Sequence, residues 1–191
     1  MSTKPDKYLL GYLGSYGPAD QSQYGGILVT NEYGVPREFR HTNPIRPTKI
    51  QQILYGDSLQ AAIGGTSIGP ALISSLTIVP HILLIDRISK PLLGDFVEGQ
   101  GPCALMTVAP NDEGIFMDSV GPNGMMHDPL QLRHGDVPNS FVFAYVDWTG
   151  SGSDPRRILE EVQHTMNIQS PFERVRTVLQ HIFQAESAKS R

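Results

Sequence analysis

Two runs in this chain, Ile78–Asp86 and Phe141–Trp148, are apolar at successive positions rather than at alternate ones. A strand with one solvated face alternates with a period of two, so runs of this kind fit strands buried on both faces. Burying them requires helices on at least one face of the sheet. Phe141–Trp148 is the stronger of the two and reads as a central strand. The C-terminal segment supplies the cover: Asp154 and Pro155 start a helix with a stripe of Ile158, Leu159, Val162 and Met166. Ser170 and Glu173 form a capping box for a second helix, lined by Phe172, Val175, Leu179, Ile182 and Phe183. Further strands are predicted at Tyr8–Ser15, Ala104–Ala109 and Ile115–Val120, with a weak one at Gln131–Arg133. The expected fold is α+β: a mixed, mostly antiparallel sheet covered by helices, two of them C-terminal. Residues 1–186 read as one domain, with 154–186 its C-terminal helical element and 187–191 a polar tail.

The clearest local structure is Tyr24–Gly56, where a hairpin leads through two prolines into a capped helix. Gly25–Thr30 is a strand, Asn31–Gly34 its turn and Arg37–Thr42 the return. Gly34 suits the left-handed position that closes such a turn, and Pro36 belongs at an edge or a strand start. Alternation places Arg37, Phe39 and His41 on one face of the return strand, with Phe39 its one core side chain. Thr48 and Gln51 make a capping box for a short helix on which Ile50, Ile53 and Leu54 share a face, and Gly56 stops it. A second helical stretch ends at Gly64-Gly65. A third starts near Thr66 or Ser67 and buries Ile68, Leu72, Ile73 and Leu76, with Pro70 in its first turn.

The net charge of −4 over 191 residues argues against a protein that coats nucleic acid, so any such contact is local. No stretch approaches the roughly 18 apolar residues of a membrane span, and the first residues lack a signal peptide's apolar run. A cytoplasmic location without membrane contact is expected. A single cysteine, Cys103, rules out an intramolecular disulfide and a thiolate-rich zinc site. With no nearby base in sequence, it reads as a partly buried, inert thiol.

The string from Tyr24 to Thr42, continuing to Ile53-Leu54-Tyr55-Gly56, resembles a pattern in bacterial proteins of similar length whose activity is uncharacterised. The resemblance covers about the first third of the chain. It implies a bacterial source and carries no activity or site residue. The order hairpin, helix, buried strand is also compatible with a ribonuclease H-like nuclease. That chemistry needs carboxylates holding two metals, beginning with one on the first strand. Tyr8–Ser15 has none, so a chain of that kind would be an inactive copy.

The first candidate site is the positive cluster Arg37, Arg40, His41, Arg46 and Lys49, set around a helix start whose N–H groups favour an anion. Glu38 is placed to neutralise one arginine. A second is Thr149–Arg157, a Gly/Ser loop before a helix, but it lacks phosphate-loop spacing and Asp154 would repel an anion there. Asp118, His127, Asp128, His134 and Asp136 include the types that hold divalent metals, although His127-Asp128 lies among turn residues rather than on the helices of HD-type phosphohydrolases. Asp86 and Arg87 end a buried strand, a favoured ligand position if that strand is parallel to its neighbours. No spacing is diagnostic of a metal, a cofactor or a catalytic set. The expectation is a non-enzymatic accessory module in a larger assembly. Its contact would be an anionic partner met through the basic hairpin, either another protein or a second copy of the chain in a homo-oligomer, with a local nucleic-acid or phosphate contact as the further option. The alternative is a metal-dependent hydrolase of phosphate esters or nucleic acid.

Overall fold

The computed structural model describes residues 5–17, 22–86, 104–110, 130–134, 137–146 and 155–189. Its strands are β1 (Leu9–Tyr16), β2 (Tyr24–Asn31), β3 (Pro36–His41), β4 (Ile82–Asp86), β5 (Ala104–Pro110), β6 (Leu130–His134) and β7 (Val137–Val146). They form one sheet in the order β3-β2-β1-β4-β5-β7-β6. The pairs β1/β4 and β4/β5 are parallel and the other four antiparallel, so the fold is α+β with a mixed, mostly antiparallel sheet. The helices are α1 (Lys49–Tyr55), α2 (Leu59–Ile63), α3 (Gly69–Ser75), α4 (Pro155–Val162) and α5 (Ser170–Lys189).

Helices cover both faces. On one, Leu10, Tyr12, Leu28, Ile82 and Leu84 pack against Ile158, Leu159 and Val162 of α4 and Phe172, Val175 and Leu179 of α5. On the other, Leu13, Ile27, Leu83 and Ile85 meet Leu59, Ile63, Ile68 and Leu72 from the α2–α3 region. Alternate residues of β4 thus enter different cores, which is why its sequence is apolar at every position.

Gly25 and Gly26 of β2 serve the two layers in turn. A Cβ on Gly25 would lie 2.0 Å from Ile68 Cγ2, and one on Gly26 3.2 Å from both Leu179 Cδ2 and Val175 Cγ1. Adjacent glycines let a helix approach the same strand closely from each side.

Four expectations change. The strand expected from Ile78 begins at Ile82. Pro80 has no N–H to offer a ladder, the N–H groups of Thr77 and Ile78 donate to Glu38, and Val79 is 58% exposed. Gly64-Gly65 does not stop a helix; both are buried in a π-helical turn, Gly64–Ile68, that continues into α3. The wider turn lies where the Pro70 ring would otherwise meet the carbonyl of Thr66. The strand containing Phe141 is interior, between β5 and β6, but next to an edge strand rather than central. The helix α5 runs through Lys189, because Ala185, Glu186, Ala188 and Lys189 are good helix formers that need no core contact.

Candidate functional site

The hairpin turn is closed as its sequence requires. Gly34 has φ +73, its N–H donates to the Asn31 carbonyl, and Asn31 Oδ1 accepts the N–H groups of Tyr33 and Val35. The tip is held by α5 and the turn before it: Arg174 Nη1 donates to the Gly34 carbonyl and Thr165 Oγ1 to that of Glu32. The β3 strand is an edge strand starting at Pro36, with Phe39 packed against the α4–α5 core.

The five basic residues divide by their partners. Arg37 Nη2 lies 2.6 Å from Asp6 Oδ1, and Arg40 Nη2 lies 2.8 Å from Glu38 Oε1. Arg46 Nε donates to Ser22 Oγ, and the His41 ring contacts the Thr42 carbonyl. Among the described residues neither Arg46 nor Lys49 forms an ion pair, and both are exposed. The uncompensated charge therefore lies on the proline connection and the start of α1. The cap takes up part of the backbone there: Thr48 Oγ1 accepts the Gln51 N–H, and Gln51 Oε1 accepts that of Thr48. An anion at this place would meet the side-chain charge of Arg46 and Lys49.

The apolar face of α1 is the largest departure from its sequence pattern. Ile50, Ile53 and Leu54 do share one face, but they are 69%, 70% and 75% exposed, and α1 has no buried residue.

Glu38 has a larger role than its sequence signalled. Its side chain is 7% exposed and accepts the N–H groups of Thr77 and Ile78 as well as Arg40 Nε, tying the edge strand to the segment that leads into β4. Burial pushes its carboxyl up, but these donors outweigh it and hold it below the ordinary glutamate range. Asp6 is likewise held low, by Arg37 first and then Asn31. A folded-state pKa below the unfolded value gives stability that is present above the unfolded value, about 4.3 for glutamate, and lost as pH falls through the folded one. Acid titration of the melting temperature is thus expected to show a decline below about pH 4.5, shallower in Glu38→Gln. At neutral pH, Glu38→Gln is expected to cost about 1–3 kcal/mol, since it removes the charge from a largely buried acceptor that serves the N–H groups of Thr77 and Ile78 and the Arg40 guanidinium. An acidic residue flanked by arginines on an edge strand was the available signal, and it pointed to charge pairing alone.

The strand directions bear on Asp86. The β4 strand is parallel to both β1 and β5, so Asp86 stands at its carboxyl end, one position beyond the Leu13–Ile85 pair. The chain turns to opposite sides of the sheet from β1 and β4, with the hairpin on one side and β5 on the other. Such a switch point is where open sheets with parallel strands place ligands. His134 ends β6, which runs in the same direction as β4 three strands away, about 14 Å at ordinary strand spacing. The residues Arg87, Cys103, Asp118, His127, Asp128 and Asp136, the predicted strand Ile115–Val120 and most of the Thr149–Arg157 loop lie outside the described residues. Among the described residues no group of three or more His, Cys, Asp or Glu side chains comes together, and no helix is long and apolar enough to cross a membrane.

No protein-family model matches this chain, and no curated protein matches it in sequence. Its fold resembles that of endonuclease V from Ciona intestinalis, solved with a 23-mer DNA containing an inosine followed by a ribo-adenosine. The TM-score is 0.50 at 12% identity, over 92% of this chain and 86% of that one. Argonaute from Marinitoga piezophila, in complex with a guide RNA, gives a TM-score of 0.42 at 11% identity; the likeness covers 82% of this chain and 25% of the Argonaute chain. At these identities the likeness to endonuclease V is one of fold.

Proposed function

We propose that this chain is a nucleic-acid-contacting module of a larger assembly, which holds an anionic strand or surface against the basic hairpin and proline connection and does not cut it. One observation carries the reading: the fold is shared with a DNA-bound nuclease, while β1, Leu-Leu-Gly-Tyr-Leu-Gly-Ser-Tyr, has no carboxylate with which two-metal chemistry would begin. A fold alone hosts many activities, so the contact is argued from its residues. Arg46 and Lys49 offer uncompensated charge, whereas Arg37 and Arg40 on the edge strand are already paired with Asp6 and Glu38 and, with His41, would line the contact rather than add free charge to it. The net charge of −4 limits the contact to this patch.

Titration of labelled single-stranded and duplex DNA and RNA with the whole chain tests this. Binding that weakens steeply with salt is expected, with the strands intact in Mg2+ or Mn2+. No binding to any of them at low salt would remove the proposal. Metal-dependent cleavage would replace it with the hydrolase reading, which the position of Asp86 at the carboxyl end of a parallel strand favours. A stoichiometric metal ion lost on His127→Ala would then assign the ligands.

A further inference from the structure

From Lys49 to Asp57 the chain reads Lys-Ile-Gln-Gln-Ile-Leu-Tyr-Gly-Asp, an uncharged run with a cation at one end and an anion at the other. Both ends are exposed, and neither Lys49 nor Asp57 is ion-paired among the described residues. Between them stand Ile50, Ile53 and Leu54, each more than two-thirds exposed. This is a concentrated apolar face on a helix that gives nothing to the core of its own chain. Apolar side chains grouped in this way mark a contact surface, whereas scattered ones do not.

We propose that α1 pairs with α1 of a second copy of this chain, antiparallel about a two-fold axis at Ile53. The charges select the occupant. Ile53 is midway in sequence between Lys49 and Asp57, which follows the helix-ending Gly56 in the 3-10 turn Gly56–Ser58, so a two-fold at Ile53 sets the Lys49 end of each α1 against the Asp57 end of the other, with two equivalent ion pairs around one apolar seam. An isologous contact requires this self-complementarity. Gln51 and Gln52, the remaining side chains of the helix interior, carry no charge that a copy would repel. The surface is one short helix, so the interface belongs to the small class, below about 1,200 Å2 in total, that forms weak and reversible complexes. This pairing does not rest on the proposed nucleic-acid contact, although both would use Lys49 and would compete for it, and it is tested without nucleic acid.

Sedimentation velocity of the whole chain, from about 1 μM to about 1 mM to span weak dissociation constants, is expected to show a monomer passing to a dimer. Ile53→Glu is expected to keep it monomeric throughout with unchanged circular dichroism, since the side chain is 70% exposed. Lys49→Asp alone is expected to weaken pairing at least tenfold, and Lys49→Asp with Asp57→Lys to restore it, because the swap regenerates both ion pairs. A wild-type chain that stays monomeric overturns the proposal, as does one that instead binds anionic lipid vesicles through this stripe. Failure of the double swap to restore pairing overturns the antiparallel arrangement and with it the proposal.

Discussion

A chain ended before Ser170 is expected not to fold. Such a truncation removes α5, whose Phe172, Val175 and Leu179 are 8%, 1% and 0% exposed on the face of β1 and β2. The ring of Phe172 meets that of Tyr12 edge-on at 5.1 Å, and Val175 and Leu179 sit over Gly26 at the distance of closest packing. Losing large buried side chains costs about 2–5 kcal/mol each, and three of them together are comparable to a domain's whole margin of about 5–15 kcal/mol. The deletion also leaves the Gly34 carbonyl without Arg174 and uncovers the fully buried Tyr12. Soluble expression and thermal circular dichroism check this: the expected result is aggregation or a non-cooperative melt. A truncated chain that melts cooperatively at the wild-type temperature would make α5 an appendage and remove one of the two helical layers.

The second large effect is expected at Gly25. A Cβ there lies 2.0 Å from Ile68 Cγ2 and 3.1 Å from Leu72 Cδ1, so an alanine cannot enter unless the α2–α3 layer moves off the sheet. Ile68 is 1% exposed and branched at Cβ, with little freedom to turn away. Overpacking of this kind typically costs about 1–3 kcal/mol, and so deep an overlap belongs at the upper end or beyond. Denaturant unfolding of Gly25→Ala gives the cost directly. The double variant Gly25→Ala with Ile68→Ala separates the clash from any general intolerance of β2, because removing Cγ2 removes the obstacle. Its loss is expected to be smaller than the sum of the single losses by more than about 0.5 kcal/mol. Simple additivity would contradict the packing described.

How much of this was legible in the sequence depended on the range of the interactions. The hairpin, the Gly34 turn and the Thr48–Gln51 capping box are set by neighbours a few residues apart, and each forms as the residues indicate. Apolar runs and the hairpin turn located β1 and β2, alternation assigned the faces of β3, and the C-terminal stripes of Ile158, Leu159, Val162, Phe172, Val175 and Leu179 are buried as their spacing requires. The direction of β4 was not legible, because parallel pairing with β1 and β5 joins residues about seventy and twenty positions away in sequence. The glycines at 64 and 65 misled for a related reason: a stop signal is local, whereas their burial in a π-helical turn is decided by the sheet beneath. The spacing of Ile50, Ile53 and Leu54 revealed a face but not whether another layer meets it. In the basic cluster, composition found the residues, and only the fold showed that Asp6, thirty-one positions away, takes up Arg37.

The central claim is that a local patch of uncompensated charge meets an anionic strand, and the salt dependence of binding by wild type and by Arg46→Glu with Lys49→Glu tests it most directly. Fluorescence anisotropy with labelled nucleic acid, at chain concentrations well below those that favour self-association, gives log K against log salt for each. Both side chains are exposed and form no ion pair among the described residues, and Arg46 gives up one exposed hydrogen bond to Ser22, so the variant is expected to keep its circular dichroism and melting temperature. The account predicts an affinity lower by about tenfold or more at low salt and a slope reduced by about two, one for each phosphate that the variant no longer neutralises. A variant that binds as tightly as wild type with the same slope would contradict it.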